Sequence, residues 1–217
     1  MIEDKSDKDD LQIVLVNPGA TEFDAQGRIV GTLDVPLSDS GIEQARSMAA
    51  ELSGLKITAV YSGPCLAAQQ TAVEITADSR VRPRVEAKLK NVDMGLWQGR
   101  ELEELKSNQP RFVRQWQDNP EKVCPPEGET LMDVRPRVDA FLKRISRKHK
   151  SGVVVVVVAD PLASVIAARI DMLDGDDDDD DQTPQENERS ELTSAGKGLN
   201  AGFGKLRSFS LSAGFAL

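Results

Sequence analysis

The sequence predicts an α/β domain: a three-layer sandwich whose mainly parallel central sheet carries helices on both faces. Three observations lead there. Short apolar runs bounded by turn residues alternate with longer stretches whose apolar residues recur at helical spacing. The runs are apolar at nearly every position, as strands covered on both faces must be. The chain has 217 residues, 39% of them hydrophobic and only 4% aromatic, which suits one such domain with a tail and a core of Val, Leu, Ile and Ala.

The elements follow in order. Residues 1–10, MIEDKSDKDD, are charged and lack an apolar stretch, so a disordered N-terminal segment without a signal peptide is expected. Gln12 to Val16 reads as a buried parallel strand. Ser38, Asp39 and Ser40 offer N-caps for a helix from about Ile42, with Ala45, Met48, Ala49 and Leu52 on one face. Ile57 to Tyr61 is a second strand, closed by Ser62-Gly63-Pro64, and Leu66 to Ile75 is helical. Residues 101–117 form two short helices split at Pro110.

From Thr130 to about Lys148 an amphipathic pattern runs through Leu131, Val134, Val138, Phe141, Leu142 and Ile145. Pro136 inside it is expected to kink the helix or mark a late start. Six valines, 153–158, make the central strand, and Leu162 to Met172 is the helix after it. Residues 174–202 open on a self-repelling aspartate run and are expected to be a disordered acidic insertion. Within 203–217, Phe209, Leu211, Ala213, Phe215 and Leu217 alternate with small residues, which predicts a final strand of the 11–173 domain with one buried face.

The formal charge of −9 is local. Residues 171–191 hold eleven acids and one base, a net −10, so the rest of the chain is at +1. Nucleic-acid binding through a broad basic face is therefore not expected. Cys65 and Cys124 match no metal or disulfide spacing, which points to a reduced cytoplasmic setting. The apolar run 153–159 is too short to cross a membrane, so a soluble protein is expected.

A set of motifs carries the functional reading. N-P-G-A-T-E-F-D (17–24) follows the first strand, and G-R-I-V-G-x-x-D-x-P-L-S-x-x-G-x-x-Q-A (27–45) follows that. Then come Y-S-G-P-C-L-A-A-Q-Q-T-A (61–72), L-K-N-V-D-M-G-L-W-Q-G (89–99), P-E-G-E-T (126–130) and A-D-P (159–161). In this order they resemble the histidine phosphatase superfamily, the phosphoglycerate mutase-like fold, over roughly residues 11–172. That family reads R-H-G-x-T-x-x-N at the first loop. The resemblance implies a histidine that attacks phosphorus, two arginines and a second histidine that hold the phosphoryl oxygens, and a carboxylic acid for the leaving group.

Here each of those positions is replaced. Pro18 stands at the nucleophile and Asn17 at the arginine before it. Ala67 stands at the second arginine, Asn91 at the acid and Asp160 at the second histidine. Asp24 takes the loop's Asn position, while Thr21 is kept. The loss does not depend on alignment, because the chain's only histidine is His149, in a basic R-K-H-K stretch at a helix end. Gly19, Gly27, Arg28, Gly31, Asp34, Pro36, Leu37, Gln44, Gln70 and Thr71 remain as scaffold.

The unusual residues also admit plainer readings. Asp160 resembles an aspartate nucleophile at a strand end, but such sites need a second acid two residues on, where Leu162 stands, so a helix-capping role is preferred. Cys65 has no basic neighbour in sequence to activate it and reads as a small buried residue. His149 reads as a solvated helix end, and Trp97 and Trp116 as core. The aspartate run lacks a glycine-organised loop for Ca²⁺.

The expected function is that of a non-catalytic member of this family acting by binding an unknown protein or small-molecule partner. No catalytic residue, metal or cofactor is expected. Phosphate is disfavoured, because its charge within about 4 Å of an ionised Asp160 costs about 1 kcal/mol in water-like surroundings and about 4 at an effective dielectric near 20. Asn17, Pro18, Thr21, Asp24, Ala67, Asn91 and Asp160 are the vestigial pocket. The alternative is a phosphatase or mutase-like enzyme with a relocated mechanism through Asp160, Asp24 or Cys65.

Overall fold

The computed structural model describes residues 10–174 and 206–211. The N-terminal segment up to residue 9, the acidic stretch from residue 175 and residues 212–217 lie outside the described residues. A five-stranded sheet, order β3-β2-β4-β1-β5, organises the rest. Its strands are β1 (Leu11–Val16), β2 (Ile57–Ser62), β3 (Arg84–Val85), β4 (Gly152–Val157) and β5 (Leu206–Leu211). β1, β2, β3 and β4 run parallel, and β5 lies antiparallel on β1 with Phe209 opposite Ile13.

The valine run is apolar throughout because both of its faces are covered. Val154, Val156 and Val158 pack with Ile13, Leu15, Phe141, Leu142 and Ile166, whereas Val153, Val155 and Val157 pack with Val14, Val16, Ala45, Met48 and Ala72. One face carries α2 (Asp39–Leu52) and α3 (Leu66–Thr76). The other carries α4 (Leu102–Asn108), α5 (Pro110–Asp118), α6 (Leu131–Lys148) and α7 (Leu162–Asp174). Trp97, fully buried, meets Phe112 and Trp116 edge to face, the packing expected of both tryptophans.

The predicted elements shift in four places. The first long helix starts at Asp39 rather than near Ile42, because Ser38 is the cap and its Oγ accepts the Gly41 N–H at 3.1 Å. The helix after Thr130 starts at once despite Pro136. Asp133 Oδ2 accepts from Thr130 N–H at 2.8 Å and from its hydroxyl at 2.7 Å, closing a capping box, and the proline removes just one donor in the second turn. A short α1 (Glu22–Ala25) and the two-residue β3 carried no periodicity long enough to read. β5 places Leu206 against the α2/α3 side and Phe209 against the other, so this strand serves both faces.

His149 is not simply solvated. It caps the end of α6, half-buried, with Nε2 3.0 Å from Tyr61 Oη and its ring edge-on to Tyr61. Among the described residues no helix is long and apolar enough to cross a membrane.

Candidate functional site

The site lies where the parallel strands end, the usual place for chemistry in an open α/β sheet. β1 delivers Asn17 and Pro18, and the neighbouring β4 delivers Asp160. These two loops meet: Asn17 Nδ2 donates to Asp160 Oδ2 at 2.8 Å. The other carboxylate oxygen accepts from Ser164 Oγ at 2.8 Å and Ser164 N–H at 3.2 Å, so Asp160 also satisfies a donor in the first turn of α7. The capping role read from the sequence is thus present, joined to a contact across the site that sequence spacing does not reveal. Ser164 was missed; a serine four residues after Asp-Pro at a helix start is the signal that could have found it.

Asn91 is 6% exposed and ties three segments together. Its amide nitrogen donates to Gly31 O at 3.1 Å and Asp160 O at 2.9 Å. Its oxygen accepts from Val92 N–H at 2.9 Å and Leu162 N–H at 3.3 Å. Both amide protons and both lone pairs are used, which leaves nothing to offer a ligand. Arg137, also missed, holds the same segment from outside. It grips Glu129 in a bidentate pair, at 2.7 and 2.8 Å, and donates to Lys90 O at 3.0 Å.

The first loop is similarly committed to itself. Gly19 N–H donates to Thr71 Oγ1 at 3.1 Å, Ala20 N–H to Gln44 Oε1 at 2.9 Å, and Thr21 N–H to Asp24 Oδ2 at 2.7 Å. Pro18 is buried and has no N–H at all. Thr21 and Asp24 form the capping box of α1, with the Thr21 hydroxyl also donating to Asp24 at 2.7 Å. Burial pushes the Asp24 carboxyl above its ordinary value, while the Thr21 hydrogen bonds pull the other way. A Cβ on Gly19 would land inside the Gly41 carbonyl, and one on Gly41 inside that of Ala20, so the loop and α2 touch backbone to backbone.

Ala67 is buried near the start of α3. The N–H of Leu66 beside it is taken by Asp34 Oδ1 at 2.6 Å, so a carboxylate already occupies this helix terminus. Cys65, half-buried at the N-cap of α3, has its thiol pushed up by burial, with the Asp34 charge adding to the effect. It is held protonated rather than activated. Among the described residues no group of His, Cys, Asp and Glu is arranged to hold a metal ion.

The geometry therefore sorts the motif residues into two sets. Gly19, Gln44, Gln70, Thr71, Asp34 and Arg28 are kept, and each holds or admits backbone: Gln70 Oε1 accepts from Leu37 N–H at 2.8 Å, and Arg28 Nη1 donates to Gly99 O at 2.7 Å. Asn17, Asn91 and Asp160 form the second set, and they bind one another's loops.

The fold and this arrangement define an α/β scaffold of the phosphoglycerate mutase-like type. The family model for the histidine phosphatase superfamily (branch 1) matches residues 13–187, and the chain belongs to that superfamily. It is 34% identical over 147 residues to phosphoserine phosphatase 1 of Hydrogenobacter thermophilus, covering 68% of this chain and 70% of that one. It is 34% identical over 157 residues to phosphoglycerate mutase-like protein 4 of Arabidopsis thaliana, covering 71% and 68%. Among solved structures, a mycobacterial protein titled hydrolase 1 superposes with a TM-score of 0.76 at 20% identity, covering 92% of this chain and 91% of that one. That last likeness is one of fold.

Proposed function

We propose that this chain is a non-catalytic member of the superfamily that acts by binding a protein or a phosphate-free small molecule. The observation that carries the reading is the Asn17–Asp160 hydrogen bond of 2.8 Å, between a neutral amide and a carboxylate at positions that the motif resemblance matches to the family's cationic groups. An anion there meets Asp160 with no arginine at the matching motif positions, Asn17 and Ala67, to compensate, at a cost of about 1–4 kcal/mol per charge pair within about 4 Å. The loop amides that would otherwise help are already paired with Thr71, Gln44 and Asp24. Pro18 has no lone pair to attack phosphorus, and the one histidine sits with Tyr61 at the end of α6. The two thiols are free, which supports a reducing cytoplasmic setting.

The test is turnover of an aryl phosphate and of phosphoglycerates, with and without Mg²⁺, alongside calorimetric titration with inorganic phosphate. Neither hydrolysis nor phosphate binding is expected. Robust turnover that disappears in Asp160→Asn or Cys65→Ser would overturn the proposal and establish a relocated mechanism.

A further inference from the structure

Two basic segments that are far apart in sequence form one surface. Residues 80–90 hold five bases and one acid, a net +4, and residues 143–150 hold five bases and no acid, a net +5. The segment around 87–89 packs on α6, and Arg144 pairs with Glu86, the one acid of the set, which is buried. Arg144 and Lys148 both stand over the Tyr61 ring, 5.7 and 5.9 Å from its centre. Burial first, then the charges of Lys148 and Arg84, hold the His149 imidazole below its ordinary value, which places Arg84 at the same end of α6. Arg82, Arg84, Lys88, Arg147, Lys148 and Lys150 are exposed, and none of them pairs with an acid among the described residues.

The chain supplies a matching anion beside this face. Residues 174–191 carry ten acids and one base, a net −9 against the net +9 of the two basic segments. Their starting point is set by α7. α6 and α7 flank β4 in sequence and lie on the same face of the sheet, so both run antiparallel to β4 and parallel to each other. Arg169 Nε donates to Asp139 at 2.8 Å, midway along both helices, so they are also nearly in register. The acidic stretch therefore leaves α7 at the end of the molecule where α6 presents Arg147, Lys148 and Lys150. A tether this short holds the two at an effective concentration in the millimolar range. Many weak exposed pairs then act together, although each alone contributes little.

We propose that residues 174–191 dock on the basic face formed by residues 80–90 and the last turns of α6. An external acidic polypeptide would have to displace them to use that face. The docking depends on charge, so it weakens as salt screens it.

Zero-length carbodiimide cross-linking of the intact full-length chain tests this, with linked peptides mapped by mass spectrometry. The Glu103–Lys106 pair, 2.7 Å apart, serves as an internal standard. At low salt, carboxylates of 174–191 should link to Lys88, Lys148 and Lys150 within the monomer. Those links should fall at least about tenfold, relative to the standard, in about 1 M NaCl, where the screening length is ~3 Å. A full-length variant with Asp176 to Asp181 replaced by Asn should lose links to these lysines from its remaining acids. Equal linking to Lys106 and Lys122 would overturn the proposal by showing that the stretch samples the whole surface. Links found in dimers alone would overturn it in favour of a second copy as the occupant.

Discussion

Asn91→Ala isolates the physical claim that Asn91 is a structural tie between segments. The substitution removes four hydrogen bonds at a position 6% exposed, leaving Gly31 O, Asp160 O, Val92 N–H and Leu162 N–H without their partner inside the protein. Lost hydrogen bonds cost about 1 kcal/mol each, and more where the orphaned group stays dry. Entering water offsets part of this, so a loss of about 3 kcal/mol is expected, a large share of a small domain's stability. Urea or guanidinium unfolding at neutral pH, read at unchanged m-value, measures it. Asn91→Asp sharpens the test. It keeps the acceptor for Val92 and Leu162 but turns a carboxylate toward two carbonyl oxygens, which raises its folded-state pKa. A group whose folded pKa is raised penalises folding only when it must ionise. The Asp variant should therefore be worse than Ala at pH 7 and improve as pH falls toward about 3.9, the value of an unfolded aspartate. An Asn91→Ala protein within about 0.5 kcal/mol of wild type would refute the reasoning, since that is the range of an ordinary surface change.

Further outcomes are expected from the same structure. Pro18→His should acquire neither stable phosphorylation nor turnover, measured with radiolabelled phosphodonor, because groups that act as a unit are not restored singly. Gly19→Ala should cost at least about 2 kcal/mol in denaturant melts, since its Cβ would collide with the Gly41 backbone rather than a movable side chain. His149 has its pKa held low, so the unfolded chain binds that proton more tightly. Stability should then fall as pH drops through about 6.5 and level off below the folded value, and His149→Gln should flatten thermal melts across that window. Phe209→Ala should lose about 1–2 kcal/mol, because this ring packs β5 against the core on the α6 and α7 side of the sheet.

The physics of the layers was written in local sequence. The ordered motif blocks and a valine strand apolar on both faces establish an α/β sandwich. Helix starts are equally local, because Ser38 and Thr130 cap through atoms within three residues. Pro18 after the first strand and the single histidine are also matters of residue identity, visible without coordinates. What identity does not tell is what Asn17, Asn91 and Asp160 do. Asn17 and Asp160 are 143 positions apart, and Asn91 reaches Asp160 across 69. Only the pairing of β1 with β4 brings those loops within hydrogen-bond range. In the same way, the whole-chain charge of −9 conceals a basic face assembled from residues 80–90 and 143–150. Charge is a sum over the sequence, but a surface depends on which segments the packing of α6 brings together.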